Sequence, residues 1–462
     1  MLLYYIIIIK FFKAINKKFV EVTMRRKFII FISVFLVFLS TYAHAEEKFP
    51  VVDSPSIILI DAKTGQILYE KDTNHKLYPA SITKVMTALL TLEKCKLDDK
   101  VIASKKAVLS IEPGSSTASF QPDEELTVEQ LLYALLLNSA NEAANILAEH
   151  VGGSIEGFAD MMNARAKELG AINTHFVTPN GLHNNDHYTT AYDMAQIARQ
   201  AMTMPKFREI VSTVKYNMAP TNKYPKTDKF FTNSNKLINS ANGNYYKYAT
   251  GIKTGYTVKA GHTLIASSFN NGIELIAVSL NSKIGSGKLQ NYTDSVNLFN
   301  YAFKNYKMTE VVKSGSLVKQ FSIKNAKKET QLQVGAQTGV SFITPIDSED
   351  YYTVNEVVNE DIKAPITKNT VVGYIEYLID GKVVGKTNII ALNNVEEYKP
   401  FAFMNVIYKI LVFIIIIASA ILLILILMMI IWMKSQHRKI KPLNRSNQER
   451  PRGMKIDSLM ED

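Results

Sequence analysis

The order of hydrophobic and polar positions along the chain predicts strands, then helices, then strands again. Two short apolar runs, Ser56 to Ile60 and Gln66 to Tyr69, flank the turn sequence Asp-Ala-Lys-Thr-Gly, which is typical of a β-hairpin. From Pro79 onward apolar residues recur at helical spacing, and later helices are predicted over 128–137, 141–150, 155–169 and 191–202. Strand-like runs and a closing helix follow at 263–268, 275–280 and 295–302. This order is typical of an α+β domain with helices packed on an antiparallel sheet, here predicted over 46–307.

The pattern changes after Lys307, where short strand-like segments replace the helical ones. These segments cover residues 317–323, 352–358, 374–379 and 382–390. The last two flank Asp380-Gly381, one of the strongest short signals for a hairpin. We therefore predict a small all-β domain over 308–398. It shows no catalytic grouping, so a spacer between an enzyme and a membrane is the preferred interpretation.

The chain closes with an apolar segment long enough to cross a lipid bilayer. Ile410 to Met433 is uncharged, and as a helix at about 1.5 Å per residue it would reach about 36 Å. Tyr408 and Trp432 stand at its two ends, where interfacial aromatic residues are found. We predict a transmembrane helix over 407–433. The basic tail, 434–462, is predicted to be cytoplasmic by the positive-inside rule.

The first 45 residues have the layout of a secretion signal. Met24 precedes a basic cluster, an apolar run over 28–39 and the small residues Ala43-His44-Ala45. We predict cleavage before Glu46, and a membrane helix that is retained is the alternative. Translation starts either at the first residue, which makes the signal unusually long, or at Met24.

The formal net charge of +11 is concentrated at the chain ends. Residues 1–45 hold seven basic residues and one acidic residue, and residues 434–462 hold eight basic and four acidic residues. The body between them is nearly neutral, which indicates membrane topology and argues against a nucleic-acid partner. Both ends predict a single-pass protein of the inner (cytoplasmic) membrane with its catalytic body on the extracytoplasmic (periplasmic) side.

Neither disulfide nor metal chemistry is expected. Cys95 is the only cysteine, so no disulfide framework exists, and it is predicted to be a small core residue. His183 and His187 have a spacing that suits a metal, but they occupy a polar loop with no third ligand in view. We therefore predict no metal ion and no cofactor.

Three short motifs carry the candidate chemistry, and the first is Ser81-Ile82-Thr83-Lys84. Ser81 lies just past Pro79, where a helix should begin and offer backbone N–H groups and the positive end of its dipole. Lys84 is one turn further on, within reach of the Ser81 hydroxyl, and would act as a base if burial and a second cation lowered its pKa. Alone, such a motif is more often a capping serine and a surface lysine. The other two motifs argue against that interpretation.

The second motif, Ser139-Ala140-Asn141, falls between two predicted helices, so its polar side chains can point into a cleft. A serine can relay a proton, and an asparagine can hold both a lysine and a substrate amide. The third motif, Lys253-Thr254-Gly255, supplies a cation and a hydroxyl that suit a terminal carboxylate. The backbone N–H groups of Ser81 and Tyr256 are candidates for an oxyanion hole. Together the motifs provide the parts of a serine acyl-enzyme.

These motifs resemble those of the low-molecular-mass penicillin-binding proteins, the D-alanyl-D-alanine carboxypeptidases. The resemblance covers about 51–390 and rests on residues 78–87, 138–144 and 251–257, with further likeness at 179–182 and 192–195. It implies a penicillin-binding/β-lactamase-like fold, removal of the terminal D-alanine from peptidoglycan stem pentapeptides, and inhibition by β-lactams. It also implies the roles of nucleophile for Ser81, general base for Lys84, relay for Ser139 and Asn141, and substrate binding for Lys253, Thr254, Gly255 and Tyr256.

The chain also departs from that family, and other functions share its motifs. The family usually ends in an amphipathic helix on the membrane surface, His183 stands where an acidic residue is common, and Lys288 precedes the closing helix without the arginine often found there. A β-lactamase would need an added glutamate, for which Glu168 has no fitting spacing. A D,D-endopeptidase or transpeptidase would use the same acyl-enzyme. A non-catalytic β-lactam or muropeptide sensor is a further alternative.

Overall fold

The structure is a computed structural model that describes residues 49–226, 228–285, 287–348, 350–400 and 402–439. The predicted signal region, 1–45, lies outside the described residues, as does most of the predicted basic tail. The helices are α1 (Lys84–Lys94), α2 (Lys105–Leu109), α3 (Val128–Leu136), α4 (Asn141–Gly152), α5 (Ile155–Glu168), α6 (Ala191–Ala201), α7 (Pro205–Ser212), α8 (Gln290–Asn305) and α9 (Ala402–Lys439).

The strands before residue 300 are β1 (Ser56–Asp61), β2 (Ile67–Lys71), β3 (Lys100–Ile102), β4 (Glu125–Thr127), β5 (Lys215–Met218), β6 (Lys229–Thr232), β7 (Ala249–Thr257), β8 (Gly261–Asn270), β9 (Ile273–Ser282), β10 (Ile284–Gly285) and β11 (Lys288–Leu289). Those after it are β12 (Tyr306–Val312), β13 (Leu317–Ser322), β14 (Gln331–Ala336), β15 (Val340–Pro345), β16 (Thr353–Val358), β17 (Val371–Ile379) and β18 (Lys382–Ala391).

A five-stranded antiparallel sheet of order β2-β1-β9-β8-β7 forms the centre of the first part of the chain. Both of its faces are covered, and β1 shows this by alternation. Ile58 and Ile60 belong to the core beneath α1 and α3 to α6, whereas Ile57 and Leu59 belong to the core beneath α8. Because successive side chains of a strand point to opposite faces, a fully apolar strand fits a sheet between two helical layers. The predicted α+β fold is confirmed.

Helix ends follow local capping signals. Thr127 and Gln130 form a capping box at the start of α3, with each side chain accepting a hydrogen bond from the other residue's backbone N–H. The Thr190 hydroxyl caps α6 by accepting from Asp193 N. At the end of α4, Gly153 adopts a left-handed conformation with φ of +73°. The predicted helices over 128–202 are confirmed, with ends that differ by at most two residues.

The pattern failed at two elements that border the cleft. Lys253-Thr254-Gly255 lies within an edge strand of the sheet, β7, which the apolar pattern does not predict. Glycines at 251 and 255 weaken the strand signal there. The closing helix, predicted over 295–302, begins at Gln290 and ends at Asn305, because its polar first turn carries no apolar periodicity.

The chain after β11 is rich in strands, as predicted. Strands β16, β17 and β18 pair antiparallel in sequence order, and β12 pairs with β15. The predicted Asp380-Gly381 hairpin is present, with φ of +49° and +73°, because both central residues of this turn type need positive φ. The described residues divide into two compact units, 49–318 with 335–359 and 371–390, and 319–334 with 360–370 and 391–439. The predicted domain limits of 46–307 and 308–398 stay predictions.

Helix α9 is long and apolar enough to cross a membrane. The qualifying stretch, 403–437, is 35 residues long, and its apolar side chains are exposed. A span needs about 20 residues at about 1.5 Å each, so this stretch is longer than a bilayer requires. It extends four residues past each end of the predicted 407–433 segment. It fits a membrane anchor.

Candidate active site

Ser81 stands at a sharp entry to a helix. It lies in a 3-10 turn, Ala80–Thr83, that runs directly into α1. Ala80, which is fully buried, adopts φ of +50°, an uncommon value for a residue with a side chain. This turn leaves Ser81 half-buried at the wall of a cleft, consistent with the predicted position at a helix start.

Lys84, the first residue of α1, is completely buried next to Ser81. Its Nζ donates to Ser81 Oγ at 2.9 Å, to Asn141 Oδ1 at 2.8 Å and to the backbone carbonyl of Asn180 at 2.6 Å. Burial, and then the neighbouring Lys253 ammonium, hold the pKa of Lys84 well below its usual value near 10.5. A lysine in this state can accept a proton from the hydroxyl it contacts.

The second motif meets the first through Asn141. Ser139 is nearly buried and has φ of +59°, a turn that brings Asn141 to the first position of α4. The Asn141 side chain accepts from Lys84, while its backbone N donates to the carbonyl of Ser116 at 2.9 Å. Asn141 therefore joins the lysine to the segment at Ser116, which also lines the cleft.

The third motif approaches Ser81 from the edge strand β7. A Cβ built on Gly255 would lie 2.8 Å from Ser81 N and 2.4 Å from Thr263 Oγ1, so only glycine lets β7 lie this close to the serine. Thr254 Oγ1 is 2.8 Å from Ser234 Oγ. Lys253 is fully buried, and burial lowers its pKa to about 7. Its Nζ donates to the Thr254 carbonyl at 3.0 Å.

One cleft of about 390 Å³ gathers most of the predicted residues. Those that line it are Ser81, Ser139, Asn141, Thr254, Gly255 and Tyr256. Lys84 and Lys253 are buried and do not line it. Lys84 is connected to the cleft by its hydrogen bonds to Ser81 and Asn141. The structure therefore brings the predicted constellation together, with two buried lysine side chains and a polar cleft wall.

The loop at 179–181 completes the surroundings of Lys84, and local reasoning assigned it no contact. Besides the Asn180 carbonyl, the Pro179 carbonyl accepts from Thr87 Oγ1 at 2.6 Å. Gly181 has φ of +82°, and a Cβ there would lie 2.0 Å from the Ala80 carbonyl oxygen. The available signal was the Asn-Gly pair, which marks a tight turn. Nothing local shows that the turn packs against a residue one hundred positions earlier.

Other residues of the cleft were also missed by sequence reasoning. Ser116, Ser234 and His262 line it, and so do Asn291 and Tyr292 from the first turn of α8. Tyr256, which is 58 % exposed, lies against the His262 ring with centroids 4.5 Å apart and the ring planes tilted by 31°. Among the described residues of the cleft wall there is no carboxylate.

His183 and His187 each contact other groups of the protein. His187 is buried, accepts from Val177 N at its Nδ1 and lies 2.9 Å from Thr83 Oγ1 through its Nε2. Burial lowers its pKa to about 3, so it is a neutral structural residue. His183 packs edge-on against the Tyr78 ring.

The chain is similar to known proteins over two consecutive regions. Residues 43–284 match the family described as D-alanyl-D-alanine carboxypeptidase, and residues 306–397 match the C-terminal domain of penicillin-binding protein 5. The chain belongs to the D-alanyl-D-alanine carboxypeptidase family. The predicted resemblance and the predicted serine-type peptidase activity are confirmed, and the second, all-β domain is also that of this family.

Individual known proteins are similar to this chain over most of their own length. The D-alanyl-D-alanine carboxypeptidase DacF of Bacillus subtilis is 31% identical over 354 residues, which cover 75% of this chain and 86% of the relative. A solved penicillin-binding protein 3 of Streptococcus pneumoniae is 26% identical with a TM-score of 0.64, covering 75% and 100%. The DD-transpeptidase of Streptomyces K15 is 30% identical with a TM-score of 0.50, covering 55% and 99%.

Proposed function

We propose that this carboxypeptidase removes the terminal D-alanine from peptidoglycan stem pentapeptides through an acyl-enzyme on Ser81. The observation that carries the proposal is the 2.9 Å hydrogen bond between Ser81 Oγ and a buried lysine whose pKa is well below its usual range. Acylation of a serine needs a base that is neutral near physiological pH and already in contact with the hydroxyl. Lys84 contacts the hydroxyl at 2.9 Å, and its lowered pKa favours the neutral form that a base needs, without a histidine.

In the proposed acylation, neutral Lys84 takes the proton of Ser81 as Oγ attacks the carbonyl carbon of the D-Ala–D-Ala bond. The oxygen of the tetrahedral intermediate accepts from the backbone N–H groups of Ser81 and Tyr256. The proton then passes, with Ser139 and Asn141 as relay, to the nitrogen of the departing D-alanine. The C–N bond breaks, and Ser81 carries the remaining peptide as an ester. Water attacks this ester and restores the hydroxyl.

The carboxylate of the terminal D-alanine is the proposed ligand of the third motif. Thr254 faces the cleft and Lys253 is buried beside it, and together they offer a hydroxyl and an ammonium group to one anion. Gly255 keeps this edge of the sheet close to Ser81. β-Lactams, which carry a carboxylate beside a reactive amide, are the proposed covalent inhibitors.

We also propose the location of the reaction. Helix α9 fits a membrane anchor, and the basic residues that follow Met433 favour a cytoplasmic tail. The cleft would then face the extracytoplasmic side of the inner membrane, where peptidoglycan stem peptides are found. No cofactor or nucleic acid takes part in this proposal.

A second candidate is transfer of the acyl group to an amine, which would make the protein a transpeptidase or, on cross-links, a D,D-endopeptidase. The likeness to the DD-transpeptidase of Streptomyces K15 favours it. A β-lactamase is disfavoured because Glu168, the weighed candidate for an added base, is largely exposed and pairs with Arg165 at 2.8 Å. A non-catalytic sensor has no specific support.

The test is D-alanine release from a diacyl-L-Lys-D-Ala-D-Ala peptide by the purified full-length protein in detergent. Wild type and Ser212→Ala, a substitution of an exposed serine in α7, should release D-alanine at equal rates. Ser81→Ala should lose release, with a fall in kcat of about 10³-fold or more. Release by Ser81→Ala at the wild-type rate would refute the proposal. Added glycine that captures the acyl group in place of water would support the transpeptidase alternative.

A further inference from the structure

Three side chains of types that bind metal ions converge at the far ends of α1 and α4, the helices that begin at Lys84 and Asn141. Cys95 follows the last turn of α1, Asp99 comes four residues later, and His150 lies in the last turn of α4. One ligand atom from each, the thiol sulfur, a carboxylate oxygen and an imidazole nitrogen, lies within 4.8 Å of the other two. The sequence did not suggest this group, because Asp99 and His150 are separated by 51 positions.

The three side chains form a set that suits zinc. Zn²⁺ binds thiolate, imidazole and carboxylate in tetrahedral sites, and ligand atoms on one zinc lie about 3.3–3.8 Å apart when bond lengths are about 2.0–2.3 Å. Small side-chain rotations would bring these atoms to that spacing. Cys95 and Asp99 are half-buried and His150 is exposed, so solvent can supply the fourth ligand. The Asp99 carboxylate is already held by a bond from Lys96 N to its Oδ2 at 2.9 Å.

The position of the group gives a site there a consequence for the cleft. Helix α1 begins at Lys84 and α4 begins at Asn141, the two residues joined by the 2.8 Å bond at the cleft. At about 1.5 Å per residue, Cys95 is about 16 Å and His150 about 13 Å further along their helices. The two helices therefore begin at the proposed base and its amide partner, and end at the same cluster of ligands.

We propose that Cys95, Asp99 and His150 form a Zn²⁺ site that ties together the far ends of the two helices carrying Lys84 and Asn141. The site joins a loop residue and two helix ends from separate parts of the chain. Unfolding would separate α1 and α4 and break this link. Because zinc would bind the folded state in preference to the unfolded one, bound zinc should stabilise the folded state. Its role is structural, and the acyl-transfer chemistry does not pass through it.

The test uses the full-length protein after chelator treatment, in detergent and metal-free buffer. Co²⁺ alone, then Zn²⁺ alone, is titrated into wild type, Cys95→Ser, His150→Gln and the control His75→Gln, which alters an exposed histidine elsewhere. Absorption spectra report a sulfur-to-cobalt charge-transfer band. Calorimetry and the thermal unfolding midpoint report zinc affinity and stabilisation.

Wild type and His75→Gln should show the charge-transfer band, bind one zinc and unfold at a higher temperature with zinc present. Cys95→Ser should lack the band, and it and His150→Gln should bind zinc at least about tenfold more weakly, a loss typical even of outer-shell partners. Cobalt binding by wild type without a thiolate band would overturn the proposal, as would equal zinc affinity in Cys95→Ser. The wild-type spectrum decides the matter even if a variant folds poorly.

Discussion

Lys253 should lose its charge near neutral pH. Binding of the substrate carboxylate by Lys253 and Thr254 should therefore depend on pH. The Lys253 side chain is fully buried in β7, and burial lowers its pKa to about 7. The ammonium form, which attracts the substrate carboxylate, predominates below that pH and disappears above it. The protonated fraction falls to about one tenth at pH 8 and about one hundredth at pH 9. If binding needs this charge, kcat/KM should fall about tenfold per pH unit above 7, since kcat/KM reports the free enzyme.

The assay is D-alanine release, followed as kcat/KM from about pH 5.5 to about pH 9. Lys253→Arg keeps its charge throughout because the guanidinium pKa exceeds about 12, so its alkaline decline should vanish even if its maximum rate is lower. Lys247→Arg, at an exposed lysine, is the control and should keep the wild-type profile. Thermal unfolding of each variant checks that the larger side chain is accommodated.

The acid side of the same profile belongs to Lys84, which must be neutral to accept the Ser81 proton. The two requirements together predict a bell-shaped curve. A wild-type kcat/KM that stays constant or rises from pH 7 to pH 9 would show that binding does not need the Lys253 charge. The same alkaline decline in a folded Lys253→Arg protein would show this too.

Two further changes test the contacts around the proposed base. Gly181→Ala should lower the free energy of unfolding by about 1–3 kcal/mol more than Gly170→Ala. Both glycines have similar positive φ, but only the Cβ at 181 would meet the Ala80 carbonyl, at 2.0 Å. Denaturant unfolding measures this difference, and equal losses would contradict the packing argument. Asn141→Asp should raise the pKa of Lys84 by placing a carboxylate beside it. Its kcat/KM should therefore fall at neutral pH and recover at higher pH, and an acid limb unchanged from wild type would contradict this.

The sequence predicted the central elements of the fold and the residues of the three motifs. Strand and helix periodicity located the central elements, and the Ser81, Ser139 and Lys253 motifs named residues that the structure brings to one cleft or buries behind it. The order of the motifs mattered, because each one alone is common by chance.

What the sequence did not predict has long-range physical causes. The Asn180 carbonyl reaches Lys84 across 96 positions, and a backbone acceptor leaves no mark in residue types. Gly255 lies in a strand because β8 pairs with it, although glycine has low strand propensity. The residue is a glycine because Ser81 leaves no room for a side chain there. The cluster at Cys95 and His150 depends on two helix lengths and one crossing, which no local pattern encodes.

Ser81 is the residue that we propose is acylated in the cleft. The most direct test is peptide mass analysis of the full-length protein after brief reaction with benzylpenicillin and acid quenching. We expect one added penicilloyl group on the peptide that contains Ser81, and no adduct in Ser81→Ala. An adduct on another residue, or an unmodified Ser81 peptide in protein that still releases D-alanine, would contradict this proposal.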